Sequence, residues 1–298
     1  MNSNKKPFSI AYAMQWNCPY KCSMCHAMKN AEKTNYECWL QNVKPIIDNG
    51  SSVRITLTGG EPMLYWTDSD DSLLQFIKYL HDNHLHICLN TTGYNLTSDK
   101  LLILDDYIDS ILLSVRGLSV KEIKNEFGIN DNDNARTLLD LQLGIINNIR
   151  LTNIKLEVST VVTKYNFSDI ENLGWKLYSL NPNIIWRVEE YYANGMQLTE
   201  GKDGEFELGA AQYDALMINI YQIFSNKFRL LRHSSKESRV NAPDVILFPD
   251  GILHQTNKNR YSTVRHISEF DFSGAVNRRD WESYRTALRD RGWKKDKD

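Results

Sequence analysis

Cysteine is scarce in this chain, with five in 298 residues. A disulfide scaffold packs more of them into a shorter sequence. An excess of charge of one sign is also missing. Lys and Arg number 35 against 37 Asp and Glu, a formal net charge of -2. That near balance makes no electrostatic case for a nucleic-acid partner. No apolar run approaches the roughly 18 residues of a membrane helix. The first residues show no apolar stretch followed by a small-residue cleavage site. The expected setting is therefore reducing and cytoplasmic, away from the membrane, with thiols free to hold a metal.

Hydrophobic residues make up 42% of the chain, enough for one large domain or two small ones. Apolar, β-branched runs alternate with segments of helical period. The runs predict strands over 8–14, 53–57, 86–90, 110–115, 155–162 and 184–191. Helices are predicted over 36–49, 71–83, 99–104, 134–147 and 167–180. In the second of these, Leu73, Leu74, Ile77 and Leu80 recur at helical spacing. Such alternation implies parallel strands joined by right-handed crossovers, hence an α/β fold with its site at the carboxyl ends of the strands. Beyond residue 192 the pattern changes to a loop over 193–208, a helix over 212–225, and a hairpin turning at Asp250-Gly251. A last helix is predicted over 281–291. We read a core over 1–192 and a small C-terminal α/β extension over 193–298 that caps it.

The spacing of the cysteines says more than their number. Cys18, Cys22 and Cys25 form a C-x3-C-x2-C cluster directly after the first strand. Three thiolates on one loop suit a soft metal centre. A structural zinc site would want a fourth ligand, for which Cys38 is the better placed neighbour. A [4Fe-4S] cluster held by three Cys keeps one iron open for a substrate or cofactor.

The same triplet resembles the signature of the radical S-adenosylmethionine (radical SAM) enzymes. A second motif of that family, Gly59-Gly60-Glu61-Pro62, follows about 34 residues downstream, at the end of the second strand. The resemblance covers residues 8–191 and implies a partial (β/α)6 barrel. It implies that Cys18, Cys22 and Cys25 ligate a [4Fe-4S] cluster whose open iron chelates SAM. It places Gly59, Gly60, Glu61 and Pro62 on the SAM amino group, and it adds Asn90, Thr92 and Ser114 as further SAM contacts. Many relatives carry an aromatic residue before the third Cys, near adenine; here Met24 stands there. Tyr20, between the first two Cys, is placed to cover the cluster or to pack in the core. The implied chemistry is reductive cleavage of SAM, with an electron from a donor such as flavodoxin or ferredoxin, to a 5′-deoxyadenosyl radical that takes hydrogen from a substrate. In such enzymes the cofactor supplies the chemistry and the protein supplies orientation. A metal-binding structural protein is the alternative of a different class.

For the substrate the sequence says less. No cysteine follows Cys88, so auxiliary clusters of the peptide-maturase kind, or the second cluster of molybdenum-cofactor-synthase-like enzymes, have no thiolate ligands here. A weaker resemblance, in Thr160–Asn166, Leu180-Asn181-Pro182 and Trp186-Arg187-Val188, is to viperin-like nucleoside triphosphate dehydratases. It breaks at the substrate face, where Glu157 and Ser159 stand in place of a Lys-x-Asn. Glu157 would repel a triphosphate, which wants cations. Glu157, Arg187 and Glu189 suggest instead a polar pocket for a small polar substrate or peptide side chain, with Arg187 and Glu189 on one strand face and Glu190 on the other. Arg239, Asn241 and Asp250 are candidates to close the site from the extension, and Arg278-Arg279 is too short a basic run to suggest an RNA partner.

Overall fold

The computed structural model describes residues 8–22, 25, 34–48, 53–191, 205–233, 245–257 and 260–267. Strands and helices alternate from the start: β1 (Phe8–Gln15), α1 (Tyr36–Asp48), β2 (Val53–Gly59), α2 (Ser72–Asp82), β3 (His86–Thr91), α3 (Ser98–Leu104) and β4 (Ser110–Ser114). Then come α4 (Val120–Phe127), α5 (Asn132–Asn148), β5 (Lys155–Val162), α6 (Ile170–Leu180), β6 (Ile185–Glu190), α7 (Ala210–Phe224) and β7 (Arg229–His233). A final group is β8 (Val245–Leu247), β9 (Ile252–Asn257) and β10 (Arg260–His266). Among the described residues the ten strands form one sheet, ordered β10-β9-β8-β1-β2-β3-β4-β5-β6-β7. From β8 to β7 neighbouring strands run parallel, whereas β9 is antiparallel to both β8 and β10. The α/β expectation holds. Among the described residues no helix is long and apolar enough to cross a membrane.

The six expected strands form within a residue or two of their expected ends. Three elements were not expected. Helix α4 is short and carries few apolar residues, and its ends are set by side chains. Ser119 and Glu122 close a capping box, and Gly128 turns left-handed at φ 62 to stop it. β7 extends the parallel sheet beyond β6, and β10 adds an edge beyond the expected hairpin. The segment 192–204 and the helix expected over 281–291 lie outside the described residues.

The two faces of the sheet differ sharply, because side chains alternate along each strand. One face is apolar. Tyr12, Ile55, Leu89, Leu113, Val158 and Trp186 are fully buried there, in one core with residues from α1, α2, α3, α5, α6 and α7. Trp186 packs edge-on against Phe224 and Phe228, and its Nε1 donates to Thr160 Oγ1 at 3.0 Å. The other face carries rows of small and polar residues in register. One row runs Ala11, Thr56, Cys88, Ser110 and Lys155, and a later one runs Ser114, Ser159 and Arg187. Asn90 Nδ2 reaches Thr58 Oγ1 at 3.0 Å along this face. Helices cover the apolar face, and the polar face leads to the carboxyl ends of the strands.

Candidate active site

The cysteine loop leaves β1 through a bulge between Ala13 and Gln15. It is then held from both sides by backbone. On one side the Gly60 amide donates to Gln15 O at 2.7 Å, and the Glu61 amide donates to Asn17 O at 2.8 Å. Only glycine fits this contact. A Cβ on Gly59, whose φ is +116, would lie 2.2 Å from Gln15 O, and one on Gly60 would lie 1.9 Å from Asn17 O. On the other side the Lys21 amide donates to Phe127 O at 3.0 Å, at the end of α4. Gly128 is pressed so close that a Cβ there would meet Lys21 O at 2.1 Å. Tyr20 sits edge-on to Phe127 and Tyr94, at 5.6 and 6.2 Å between ring centroids, as part of this packing.

Cys18, Cys22 and Cys25 are all reduced and partly exposed on this loop. The Cys25 amide donates to Cys22 O at 3.1 Å, so a tight turn separates the last two. Burial pushes the Cys18 thiol up to about 12, and Cys22, Glu61 and Cys25 push it further in the same direction. Burial also raises Cys22, with Arg116 pulling the other way. Thiolates crowded beside a carboxylate repel one another, and such a set is relieved by positive charge. These three thiols therefore suit a cluster of iron ions on electrostatic grounds. Among the described residues no three His, Cys, Asp or Glu side chains are placed to hold a single metal ion. Cys38 lies on α1 and Cys88 is buried on β3. Met24 falls outside the described residues.

Glu61 is completely buried and is the hub of the motif that follows β2. Its Oε1 accepts from the Met63 amide at 3.1 Å and from Thr91 Oγ1 at 2.6 Å. Its Oε2 accepts from the Thr92 amide at 2.8 Å and from Thr92 Oγ1 at 2.6 Å. Burial raises its pKa against the pull of these four donors. The carboxylate thus ties the Gly59–Pro62 loop to the end of β3, and Pro62 starts a short 3-10 turn that leads away. Asn90 and Ser114 stand at the ends of β3 and β4. Gly59, Gly60, Glu61, Asn90, Thr92 and Ser114 are thereby gathered along the carboxyl ends of β2, β3 and β4.

A second polar group lies across β5, β6 and β7. Arg187 forms an ion pair with Glu157, and its Nη1 is 3.7 Å from Glu189 Oε1. Glu189 also accepts from Ser159 Oγ and lies 3.4 Å from His233 Nδ1. Burial would raise the Glu189 carboxyl, but the hydrogen bond from His233 and the charge on Arg187 hold it well below the usual carboxylate range. The three residues expected to form a polar pocket do meet. His233 joins them from β7 and was not anticipated, because the register Glu189–His233 exists only once β7 pairs with β6.

Of the stretches in the viperin-like resemblance, Thr160–Val162 end β5 and Thr163–Asn166 form the turn that follows it. Asn166 is buried and donates to Arg116 O and Val161 O at 3.1 and 2.9 Å. Thr163 Oγ1 donates to Glu126 Oε1 at 2.9 Å. Asp250 accepts from the Ile252 amide at 3.0 Å and so closes its own hairpin turn. Arg239, Asn241, Arg278 and Arg279 lie outside the described residues.

Comparison with known proteins agrees with this geometry. Residues 14–173 match the family model of the Radical SAM superfamily. Among solved structures the chain resembles Streptococcus suis SuiB, with a TM-score of 0.61, 16% identity, and coverage of 84% of this chain and 60% of SuiB. It also resembles SuiB bound to its precursor peptide SuiA, with a TM-score of 0.64, 16% identity, and coverage of 90% and 64%. It resembles anSMEcpe with bound AdoMet and the Cp18Cys peptide, with a TM-score of 0.60, 14% identity, and coverage of 93% and 82%. The chain thus spans less than two thirds of the length of SuiB. No curated protein matches it. The family match supports an enzyme over the alternative of a structural metal protein, and the cofactors it implies are a [4Fe-4S] cluster and SAM. This chain belongs to the radical SAM superfamily of enzymes.

Proposed function

We propose that Cys18, Cys22 and Cys25 ligate the [4Fe-4S] cluster, and that Gly59, Gly60, Glu61, Pro62, Asn90, Thr92 and Ser114 form the SAM site, with Met24 beside adenine. The observation that carries this is the backbone interlock of Gly60 and Glu61 with Gln15 and Asn17. It joins the cysteine loop and the Gly59–Pro62 loop into one hydrogen-bonded unit at the carboxyl ends of the strands. When bound, the cluster and SAM would supply the radical chemistry that removes hydrogen from a substrate. The chain's own residues hold that substrate on the polar sheet face, keep it oriented and exclude water. A donor of the flavodoxin or ferredoxin kind supplies the electron.

The substrate in this reading is a small polar molecule or, preferentially, a peptide side chain held by Glu157, Arg187 and Glu189. Two observations support it. Arg187 is engaged by two carboxylates, so it offers a phosphate no free cation. The similar folds SuiB and anSMEcpe are known with peptides bound. An anaerobic assay with SAM and a reductant, screening deuterated peptides, amino acids and nucleotides, tests it. Deuterium should pass from a peptide or small polar substrate into 5′-deoxyadenosine. Transfer from a nucleoside triphosphate alone would refute the substrate assignment in favour of the viperin-like reaction.

A further inference from the structure

Just past the last β3–β4 pair, Thr91 with Leu113, a single side-chain amide draws the two strand ends together. Gln142 Nε2 donates to Thr92 O at 2.8 Å and to Ser114 O at 2.9 Å. A primary amide nitrogen carries two N–H groups and can serve both carbonyls at once. Gln142 comes from α5, on the apolar side of the sheet, and is 0% exposed. The orientation of the amide is set by its partners, since the reverse would face its oxygen toward two carbonyl oxygens. Its Oε1 is left buried without a hydrogen-bond partner among the described residues. A buried unpaired oxygen is a cost, so this residue is poorly explained as packing alone; a leucine would fill the space without it.

Thr92 is also the residue whose amide and hydroxyl hold Glu61 Oε2. The next residue, Gly93, turns at φ +92, with Ile145 and Gln142 directly behind it. The geometry points to Gln142 as a positioning residue for SAM binding: from the helix layer it fixes the ends of β3 and β4, and through Thr92 it sets the Glu61 carboxylate. This inference rests on the assignment of the Glu61 loop to SAM.

Two variants test it. Gln142→Met keeps the length and removes both donors. Gln142→Glu keeps the shape and retains at most one donor, and it decides the matter by the same measurements if the Met variant does not fold. The first measurement is hydrogen exchange of the Thr92 amide in cluster-free protein. The second is KM for SAM against kcat in reconstituted protein. We expect Thr92 exchange to accelerate and KM for SAM to rise, each about tenfold, with kcat far less affected, as loss of one or two buried hydrogen bonds would give. A fall in melting temperature with Thr92 exchange and KM unchanged would overturn the proposal. Glu61→Gln, measured alongside, separates the two levels. If it leaves SAM affinity intact, the assignment of the loop to SAM fails. If it weakens SAM binding and the Gln142 variants do not, only the role of Gln142 fails.

Discussion

Replacing Gly60 with alanine isolates the contact that joins the two motifs. Gly60 is not among the glycines with positive φ, so the new methyl group adds no backbone strain of its own. Its Cβ would lie 1.9 Å from Asn17 O, 2.6 Å from Asn17 C and 2.8 Å from Trp16 C. These are backbone atoms and cannot rotate away as the end of a side chain can. The two loops must therefore separate, and the bonds at 2.7 and 2.8 Å that join Gly60 to Gln15 and Glu61 to Asn17 are lost or stretched. At about 1 kcal/mol for each bond, with a similar amount for displaced packing, the variant should lose about 2–4 kcal/mol. For a chain of this size that is a fall in melting temperature of roughly 3–6 °C.

The assay is calorimetry of the cluster-free protein, followed by iron analysis after anaerobic reconstitution. The iron content should fall with the stability, because the cysteine loop loses its support. Gly144→Ala is the matched control. It lies inside α5 with nothing within 4 Å of the added Cβ. There alanine should stabilise the protein by about 0.5–1 kcal/mol, through lower helix-forming cost. A Gly60→Ala protein that melts within about 1 °C of the parent and takes up full iron would refute the interlock argument.

Other outcomes follow from the same geometry. Cys22→Ala should abolish both the visible absorbance of the cluster and the formation of 5′-deoxyadenosine, and persistence of either would overturn the ligand assignment. The Glu189 carboxyl is held below its ordinary range, so its contribution to stability is complete above the unfolded pKa of about 4.3 and is lost as pH falls through the lower folded value. Chemical denaturation should accordingly show Glu189→Gln less stable than the parent at neutral pH, with the gap narrowing as the pH is lowered through the acid range. A gap that widens on acidification would contradict the pairing with His233 and Arg187.

The order of elements was legible because its signals are local. Alternating apolar residues mark β2, β3, β5 and β6, and the helical repeat of Leu73, Ile77 and Leu80 marks α2. The Cys triplet and Gly59–Pro62 could be read as motifs because each lies within a few consecutive residues. Helix α4 was missed because eight residues with two apolar anchors, Ile123 and Phe127, carry too weak a period; its capping residues and the packing of Phe127 under Tyr20 decide it. β7 was missed because Arg229–His233 does not alternate, and only pairing with β6 makes it a strand. The Thr163–Asn166 stretch carried part of the viperin-like resemblance, and its hydrogen bonds form a turn with Thr163 and Asn166 buried.

By itself the sequence determined the family, the run of strands and helices, and the likeness of Glu157, Arg187 and Glu189 as one polar set, since strand alternation is a short-range rule. Only the tertiary structure decided what those residues meet. The contacts of Gly60 with Gln15, Gln142 with Thr92 and Ser114, and Glu189 with His233 join residues from 28 to 50 positions apart. Such partners are set by sheet register and by the depth of helix packing, which no local pattern encodes.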